Sequence, residues 1–122
     1  MSCSLDEIFN EMSSLPEFVG INLTEPNEKG NFGNCPLHVA VTQGNAGYVK
    51  ALIDGGACIN MKGEHGYTPL HDAVEQENCE VVRILLNCGA DMKIENDDGI
   101  SSEKLALTLG NSSVIKVFSE CR

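Results

Sequence analysis

Basic side chains are scarce in this sequence. Its 122 residues include 8 lysines and arginines against 18 aspartates and glutamates, so that the formal net charge is -10. Nucleic acids and anionic membranes attract proteins largely through clustered lysine and arginine, and eight scattered cations supply no such cluster. The apolar fraction of 42% is still enough for a packed core. The composition therefore predicts one folded domain that binds neither nucleic acid nor membrane.

Signals for export are also missing. The chain begins MSCSLDEIFNEM, without a basic segment, and no apolar run reaches the length of a signal peptide or a transmembrane helix. We therefore expect a cytoplasmic protein, in which the six cysteines are free and reduced. None of them forms a C-x-x-C pair of the kind used for zinc binding or redox chemistry.

Motifs for catalysis or cofactor binding are absent as well. There is no glycine-rich phosphate loop and no G-x-S-x-G nucleophile turn. The segment IENDDGISSEKL invites comparison with a calcium-binding loop, but alignment on Gly99 would require Asp at position 94 and Glu at position 105, where the chain has Ile94 and Leu105. We therefore expect no enzyme activity, no cofactor and no metal ion.

What the chain does contain is a repeat with a period of 33 residues. Three segments begin at Gly33, Gly66 and Gly99 and read GNCPLHVAV, GYTPLHDAV and GISSEKLAL. Further positions one period apart have the same or similar residues, namely Pro36 and Pro69, His38 and His71, Ala40, Ala73 and Ala106, Asn45, Asn78 and Asn111, Val49, Val82 and Ile115, and Leu52, Leu85 and Phe118. Self-similarity at such a period indicates a repeat protein, in which each unit packs against its neighbours.

One period is typical of two helices followed by a loop. Thr68 and Pro69 suit the N-cap and the first position of a helix, and apolar residues follow at helical spacing as far as Asn78. A second helix has its apolar face from Val81 onward and ends near Gly89. The polar residues after it are turn formers, which predicts a hairpin-like loop. Because one such pair cannot bury its apolar residues alone, the units are expected to stack.

These residues resemble the ankyrin repeat, whose pattern is T-P-L-H-x-A. The pattern is nearly complete in TPLHDA (68–73) and partial in CPLHVA (35–40), and GGACIN (55–60) and CGADMK (88–93) are similar to the family's loop entry. The resemblance covers about residues 33–122. It implies an all-α solenoid of stacked antiparallel helix pairs with hairpin-like loops. It also implies that hairpin tips and inner helices form a concave surface that binds protein.

The N-terminal segment departs from the pattern. S-L-D-E at its start predicts a capped helix, and Ser14 with Pro16 predicts a second short helix through Phe18 and Val19. We therefore expect residues 1–32 to form a degenerate capping repeat and its loop, followed by full repeats at 33–65 and 66–98.

The C-terminal segment, 99–122, departs as well. S-E-K replaces the family's P-L-H, and Ser119 replaces an apolar residue, which suits a polar capping repeat with no neighbour beyond it. These ends, with Met1, favour a single domain over 1–122 and not a module cut from a longer ankyrin protein.

Histidines and cysteines one period apart allow other interpretations. His38 and His71 would lie in neighbouring layers, where a pair could bind metal, but the resemblance implies a structural role with hydrogen bonds across the hairpin turns. His65 is predicted at a loop tip. Cys88 and Cys121 would lie in layers about 8–10 Å apart, whereas a disulfide needs Cα atoms within about 7 Å, so we expect both thiols to stay reduced.

The repeat register predicts which residues face the concave surface. The predicted partner-binding residues are Asn31, Phe32, Asn34, Thr42, Gln43, Glu64, His65, Tyr67, Asp72, Glu75, Gln76, Asp97, Asp98, Ile100 and Thr108. They include five carboxylates and no lysine or arginine, and Phe32 and Tyr67 are candidate aromatic anchors. Lys50 and Arg83 are expected on the outer helices, pointing away. The same acidic residues could also be no more than a solvated surface.

The sequence therefore predicts a monomeric, non-enzymatic module that masks or inhibits one basic partner protein through an acidic concave face. The chain is similar to small stand-alone bacterial ankyrin proteins of the immunity type, which implies a toxin domain as that partner. An alternative is a cytoplasmic adaptor or regulator that scaffolds a complex. A third hypothesis, an enzyme or metal protein, lacks a motif.

Overall fold

A computed structural model describes residues 4–121, so that Cys3 lies outside the described residues. These residues form seven α-helices, a single turn of 3-10 helix at Glu64–Gly66 and no β-strand. The helices are α1 (Leu5–Met12), α2 (Pro36–Thr42), α3 (Ala46–Asp54), α4 (Pro69–Glu75), α5 (Cys79–Asn87), α6 (Ser102–Leu109) and α7 (Ser112–Glu120). None of them is long and apolar enough to cross a membrane.

The asparagine repeated in each period separates the two helices of a pair. The side chains of Asn45, Asn78 and Asn111 each accept a hydrogen bond of 3.1 Å from a backbone N–H in the first turn of α3, α5 and α7. Asparagine is a preferred N-cap residue because its side chain satisfies a donor that the helix cannot. The residue that interrupts the first helix therefore starts the second.

The helix pairs stack in two layers. Helices α2, α4 and α6 pack in one layer and α3, α5 and α7 in the other, while α1 packs against α3. Ala40, Ala73 and Ala106 are at most 2% exposed, and the small alanine side chain lets neighbouring inner helices approach closely. The predicted all-α solenoid of stacked helix pairs is thereby confirmed.

Hairpin tips recur every 33 residues between the pairs. Backbone N–H groups of Gly30, Gly63 and Asn96 donate to the carbonyl oxygens of Asn34, Tyr67 and Ile100 at 2.8, 2.8 and 2.9 Å. Gly66 has φ +73°, and a Cβ at this position would collide with the backbone and side chain of Asp97 in the next tip. The tips are therefore packed side by side.

The loop of residues 21–32 follows the same register. The side-chain oxygen of Asn27 accepts from Cys58 N–H at 2.7 Å, and that of Asn60, one period later, accepts from Asp91 N–H at 2.9 Å. The first loop therefore stacks on the second as the second stacks on the third.

The predicted second helix from Ser14 is wrong. Residues 13–20 form turns, with the N–H groups of Phe18 and Val19 both donating to the carbonyl of Leu15. Gly20, at φ +81°, ends this turn before a helix can develop. The buried Phe18 still anchors the segment to the core.

The prediction of a polar C-terminal cap is only partly right. Ser102 is fully buried, although the prediction placed it among the polar residues of an exposed end, while Leu107 and Leu109 of α6 are 61% and 46% exposed. The end of the stack therefore retains exposed apolar side chains.

Candidate functional site

A cavity of about 590 Å³ opens between the hairpin tips and helices α2 and α4. Its lining consists of Glu17, Asn34, His38, Val39, Thr42, Gln43, Glu64, His65, Tyr67, Asp72, Glu75, Gln76 and Asp98. We call these residues the acidic groove, because five of them are carboxylic acids and none is lysine or arginine.

Two buried histidines hold the hairpins against the inner helices. In His71, Nδ1 accepts from the backbone N–H of Thr68 at 3.1 Å, and Nε2 donates to the carbonyl of Ile100 at 2.8 Å. In His38, Nδ1 accepts from Cys35 N–H, and Nε2 donates to the carbonyls of Met61 and Tyr67. These bonds across the hairpins agree with the structural role that the resemblance implies.

The same contacts require neutral imidazole rings. One ring nitrogen of each histidine accepts a hydrogen bond and the other donates one, an arrangement that only the neutral ring provides. Burial lowers the pKa of both His38 and His71 because it disfavours the charged form. The two histidines therefore hold the groove in place without contributing positive charge to it.

Glu17 joins the N-terminal unit to the groove. Its carboxylate accepts from the backbone N–H of Phe32 at 2.7 Å and from the side-chain amide of Asn34 at 2.8 Å. Asn34 in turn accepts from the N–H of Glu64 at 3.0 Å. The first two hairpin tips are therefore fixed to each other and to residues 13–20 by one hydrogen-bonded chain.

Asp72 has the most unusual environment in the groove. It lies on α4 and is half-buried, and burial together with the nearby carboxylates of Glu75 and Glu64 raises its pKa to about 7. Equivalent positions of the neighbouring repeats hold Val39 and Leu105, so a carboxylic acid occupies here a place that is apolar elsewhere. No lysine or arginine lines this wall to offset its charge.

Tyr67 forms the other wall beside Asp72. Its hydroxyl donates to Glu75 at 2.8 Å, and its ring centroid lies 5.2 Å from that of His71. The hydrogen bond to Glu75, followed by burial, raises the pKa of Tyr67 to about 12. The groove thus presents an aromatic side chain next to several carboxylates.

The structure brings ten of the fifteen predicted residues into the groove. The other five, which lie outside its lining, are Asn31, Phe32, Asp97, Ile100 and Thr108. Asn31 donates to the carbonyls of Pro16 and Val19, and Ile100 packs against the core, whereas Phe32 is 56% exposed at the first tip.

Three groove residues are new relative to the sequence prediction, namely Glu17, His38 and Val39. His38 and Val39 belong to α2, which the register places correctly, so their positions could have been found. Glu17 could not, because one period later its position falls on Lys50 of an outer helix.

The outer surface and the thiols have separate surroundings. Lys50 and Arg83 are exposed on the outer helices α3 and α5, as expected, and Arg83 pairs with Glu120 at 3.0 Å. The five cysteines among residues 4–121 are unbridged, and burial raises the pKa of Cys35 to about 11. No cluster of three or more potential metal ligands occurs in residues 4–121.

Comparison with known families is consistent with this architecture. A family model of ankyrin repeats matches residues 7–96 with three copies. The match begins within α1, earlier than the motifs alone indicated, and ends at the third hairpin. No curated protein is similar enough in sequence to count as a relative. Ankyrin repeats are generally non-enzymatic modules for protein–protein interaction, and the chain belongs to the ankyrin-repeat family.

Proposed function

We propose that the chain binds one basic partner protein through the acidic groove, with a lysine or arginine side chain of the partner placed against Asp72. The observation that supports this most directly is the composition of the groove, which has five carboxylic acids and no basic side chain. A cavity of about 590 Å³ also has room for a long side chain and part of the backbone that carries it.

The electrostatics of Asp72 explain why a cation fits this place. Burial and the like charges of Glu64 and Glu75 make its ionised form costly, which is why its pKa rises to about 7. A guanidinium or ammonium group would favour the ionised form and lower the pKa again. Binding a basic side chain therefore releases a proton near neutral pH, and the complex tightens as the pH rises through about 7.

The biological consequence that we propose is masking. A protein that covers the basic face of its partner blocks whatever that face binds, as an immunity protein does for a toxin, and the resemblance and the net charge of -10 support this version. The proposed setting is the cytoplasm. One copy of the chain carries the whole groove, so a monomer suffices for binding.

The experiment is a pull-down from the native source, including the product of the neighbouring gene, followed by titration of the captured protein by calorimetry. We expect a basic partner whose affinity falls steeply between low and high salt, because exposed charges are screened. The double variant Asp72→Asn/Glu75→Gln should weaken binding by about tenfold or more, on the scale of interfacial charge pairs.

The matched control removes two charges elsewhere. Asp54→Asn/Glu80→Gln alters exposed carboxylates of the outer helices and should leave the affinity within about twofold. An equal loss of affinity in both double variants, or binding that does not depend on salt, would contradict the proposal that the groove is the binding site. A partner that keeps its activity in the complex would favour the adaptor over the masking protein.

A further inference from the structure

The far end of the stack, beyond α6 and α7, exposes an apolar surface. A shallow groove of about 210 Å³ opens there, and its lining is Glu103, Ala106, Leu107, Ile115, Phe118 and Ser119. We call these residues the terminal patch. None of them lines the acidic groove.

The repeat register identifies the positions in the earlier repeats that are equivalent to Leu107 and Ile115, and these positions are buried. Val74 and Val41, one and two periods before Leu107, are 1% and 0% exposed. Val49 and Val82, the counterparts of Ile115, are both fully buried. These valines lie in repeats that have a following helix pair. Leu107, at 61% exposure, is an apolar residue at an interface position that no part of residues 4–121 covers.

Charge distinguishes this end from the rest of the chain. Residues 99–122 contain two acidic and three basic residues, whereas residues 1–98 contain sixteen acidic and five basic ones. Two copies that approach through most of their surface repel each other. Two copies that meet at the terminal repeat bring together their least acidic regions, in which Glu103 and Glu120 are already paired with Lys93 and Arg83 of their own chain.

We propose that the terminal patch is a self-association surface, on which a second copy of this chain packs about a twofold axis with Leu107 and Ile115 of each copy at the centre. A twofold contact uses the same patch on both copies and therefore places apolar surface against apolar surface.

Head-to-tail stacking is disfavoured by the opposite end. There α1, which packs in the layer of α3, presents Asp6, Glu7 and Glu11 to solvent, so that Ile115 of α7 in one copy would meet carboxylates of the next. A twofold dimer also closes, whereas head-to-tail stacking continues into a filament. Because the patch is small, the dimer is weak and the chain is monomeric when dilute. Both acidic grooves stay open in the dimer, since the two surfaces share no residue.

The test is sedimentation velocity of the full chain between about 5 and 500 μM, at moderate salt and with reductant so that exposed thiols cannot form bridges. We expect the weight-average mass to rise with concentration from one chain toward two. Leu107→Lys should raise the dissociation constant at least tenfold, because each copy loses an apolar contact and gains a charge at the interface.

Val19→Lys is the matched control. Val19 is 57% exposed and apolar, lies in the N-terminal unit and undergoes the same change of charge. The Val19→Lys variant should dimerise as the wild type does. A circular dichroism melt of both variants checks that each is folded. Three results would overturn the proposal. They are a weight-average mass of one chain over the whole concentration range, a rise of mass in Leu107→Lys equal to that of the wild type, and growth beyond two chains.

Discussion

The second repeat, residues 66–98, and the terminal repeat, residues 99–121, fold into the same helix pair, although within residues 4–121 the terminal repeat is covered on one side and the second on both. In the second repeat Thr68 caps α4, and His71 extends from the cap to the carbonyl of Ile100 in the next hairpin. In the terminal repeat Ser101 caps α6 by accepting from the N–H of Lys104, which stands where His71 stands one period earlier.

The comparison of the two repeats distinguishes residues that stabilise their own helix from residues that stabilise the neighbouring repeat. The N-cap is kept in both repeats because every helix leaves its first N–H groups without partners. The histidine is replaced in the terminal repeat, where residues 4–121 contain no further hairpin for it to hold. Leu107 and Ile115, however, keep apolar character at positions that pack against a following repeat in the interior. In the terminal repeat the first turn of α6 therefore has its hydrogen-bonding cap, but the apolar surface of the repeat stays exposed.

The largest expected effect comes from charging the alanine between layers. Ala73 is 0% exposed, with neighbouring inner helices on both sides, so Ala73→Glu buries an unpaired carboxylate and should destabilise the fold by several kcal/mol, enough to abolish cooperative unfolding. Ala106 lines the open terminal patch, so the glutamate of Ala106→Glu can turn toward water and should cost about half as much. Urea unfolding followed by circular dichroism measures both.

Glu75→Ala is the control for this pair, because it removes an exposed carboxylate of α4 and should change the free energy of unfolding by less than about 0.5 kcal/mol. Equal losses in Ala73→Glu and Ala106→Glu would mean that the terminal repeat is covered in solution. A cooperative, wild-type-like transition for Ala73→Glu would contradict the stacking register itself.

The next largest effect is expected at the histidine. His71→Ala leaves the buried N–H of Thr68 without a partner and removes one of the two hydrogen bonds to the carbonyl of Ile100, so it should cost about 2–3 kcal/mol. Lys104→His restores the family residue in the terminal repeat, where no further hairpin follows within residues 4–121, and should change stability by less than about 0.5 kcal/mol. A gain of 1 kcal/mol or more from Lys104→His would show that the histidine stabilises its own helix and not the next hairpin.

A smaller, pH-dependent effect is expected at Asp72, whose counterpart in the terminal repeat is the buried Leu105. The pKa of Asp72 is about 7 in the folded chain and near 3.9 in the unfolded chain, so the folded state binds more protons between these values. The stability contributed by this residue therefore falls as the pH rises from about 4 to 7. Asp72→Asn should match the wild type near pH 4 and exceed its free energy of unfolding by about 2 kcal/mol at pH 8, allowing for solvent in the open groove.

The measurement is urea unfolding of both chains at several pH values, in which the difference between them isolates Asp72 from every other titrating group. His38 and His71 contribute in the opposite sense. Their pKa values are lowered by folding, so their contribution is present above about pH 6.5 and is lost as the pH falls. A constant difference between the variant and the wild type over the pH range would contradict the raised pKa of Asp72.

The register of the 33-residue repeat predicted most of the fold and much of the groove. In a repeat array, residues at the same position of the period occupy equivalent places in each unit. Asp72 and Tyr67 lie in the groove as predicted, since their positions recur in helices and tips that the motifs define. Glu17 was beyond this reasoning, because it lies in turns outside the period and reaches the first tip through its side chain. The short helix predicted from Ser14 was wrong because Gly20 ends the turn after a few residues.

The terminal patch was also missed, for a different reason. Polar replacements at Ser102 and Ser119 suggested a solvated end, but a polar residue in the sequence does not tell which way its side chain points. Ser102 is buried, and its hydroxyl approaches the carbonyl of Met92 at 3.4 Å, while the apolar Leu107 lies at the surface. The exposure of a capping repeat depends on this local packing, which pattern alone does not determine.

The smallest expected effect lies in the turn between the two helices of a pair. Glu77 has φ +56°, a conformation that costs residues with a Cβ about 1 kcal/mol, whereas Gly44 and Gly110, one period before and after it, have φ +70° and +71°. Glu77→Gly should therefore raise the free energy of unfolding by about 0.5–1 kcal/mol, and Gly110→Glu should lower it by a similar amount. Thermal and urea unfolding of both variants checks this, with the exposed Glu80→Gly in α5 as a control that should be destabilised, since glycine weakens a helix. Destabilisation of Glu77→Gly would mean that the turn of the second repeat depends on the glutamate side chain and is not equivalent to the turn of the terminal repeat.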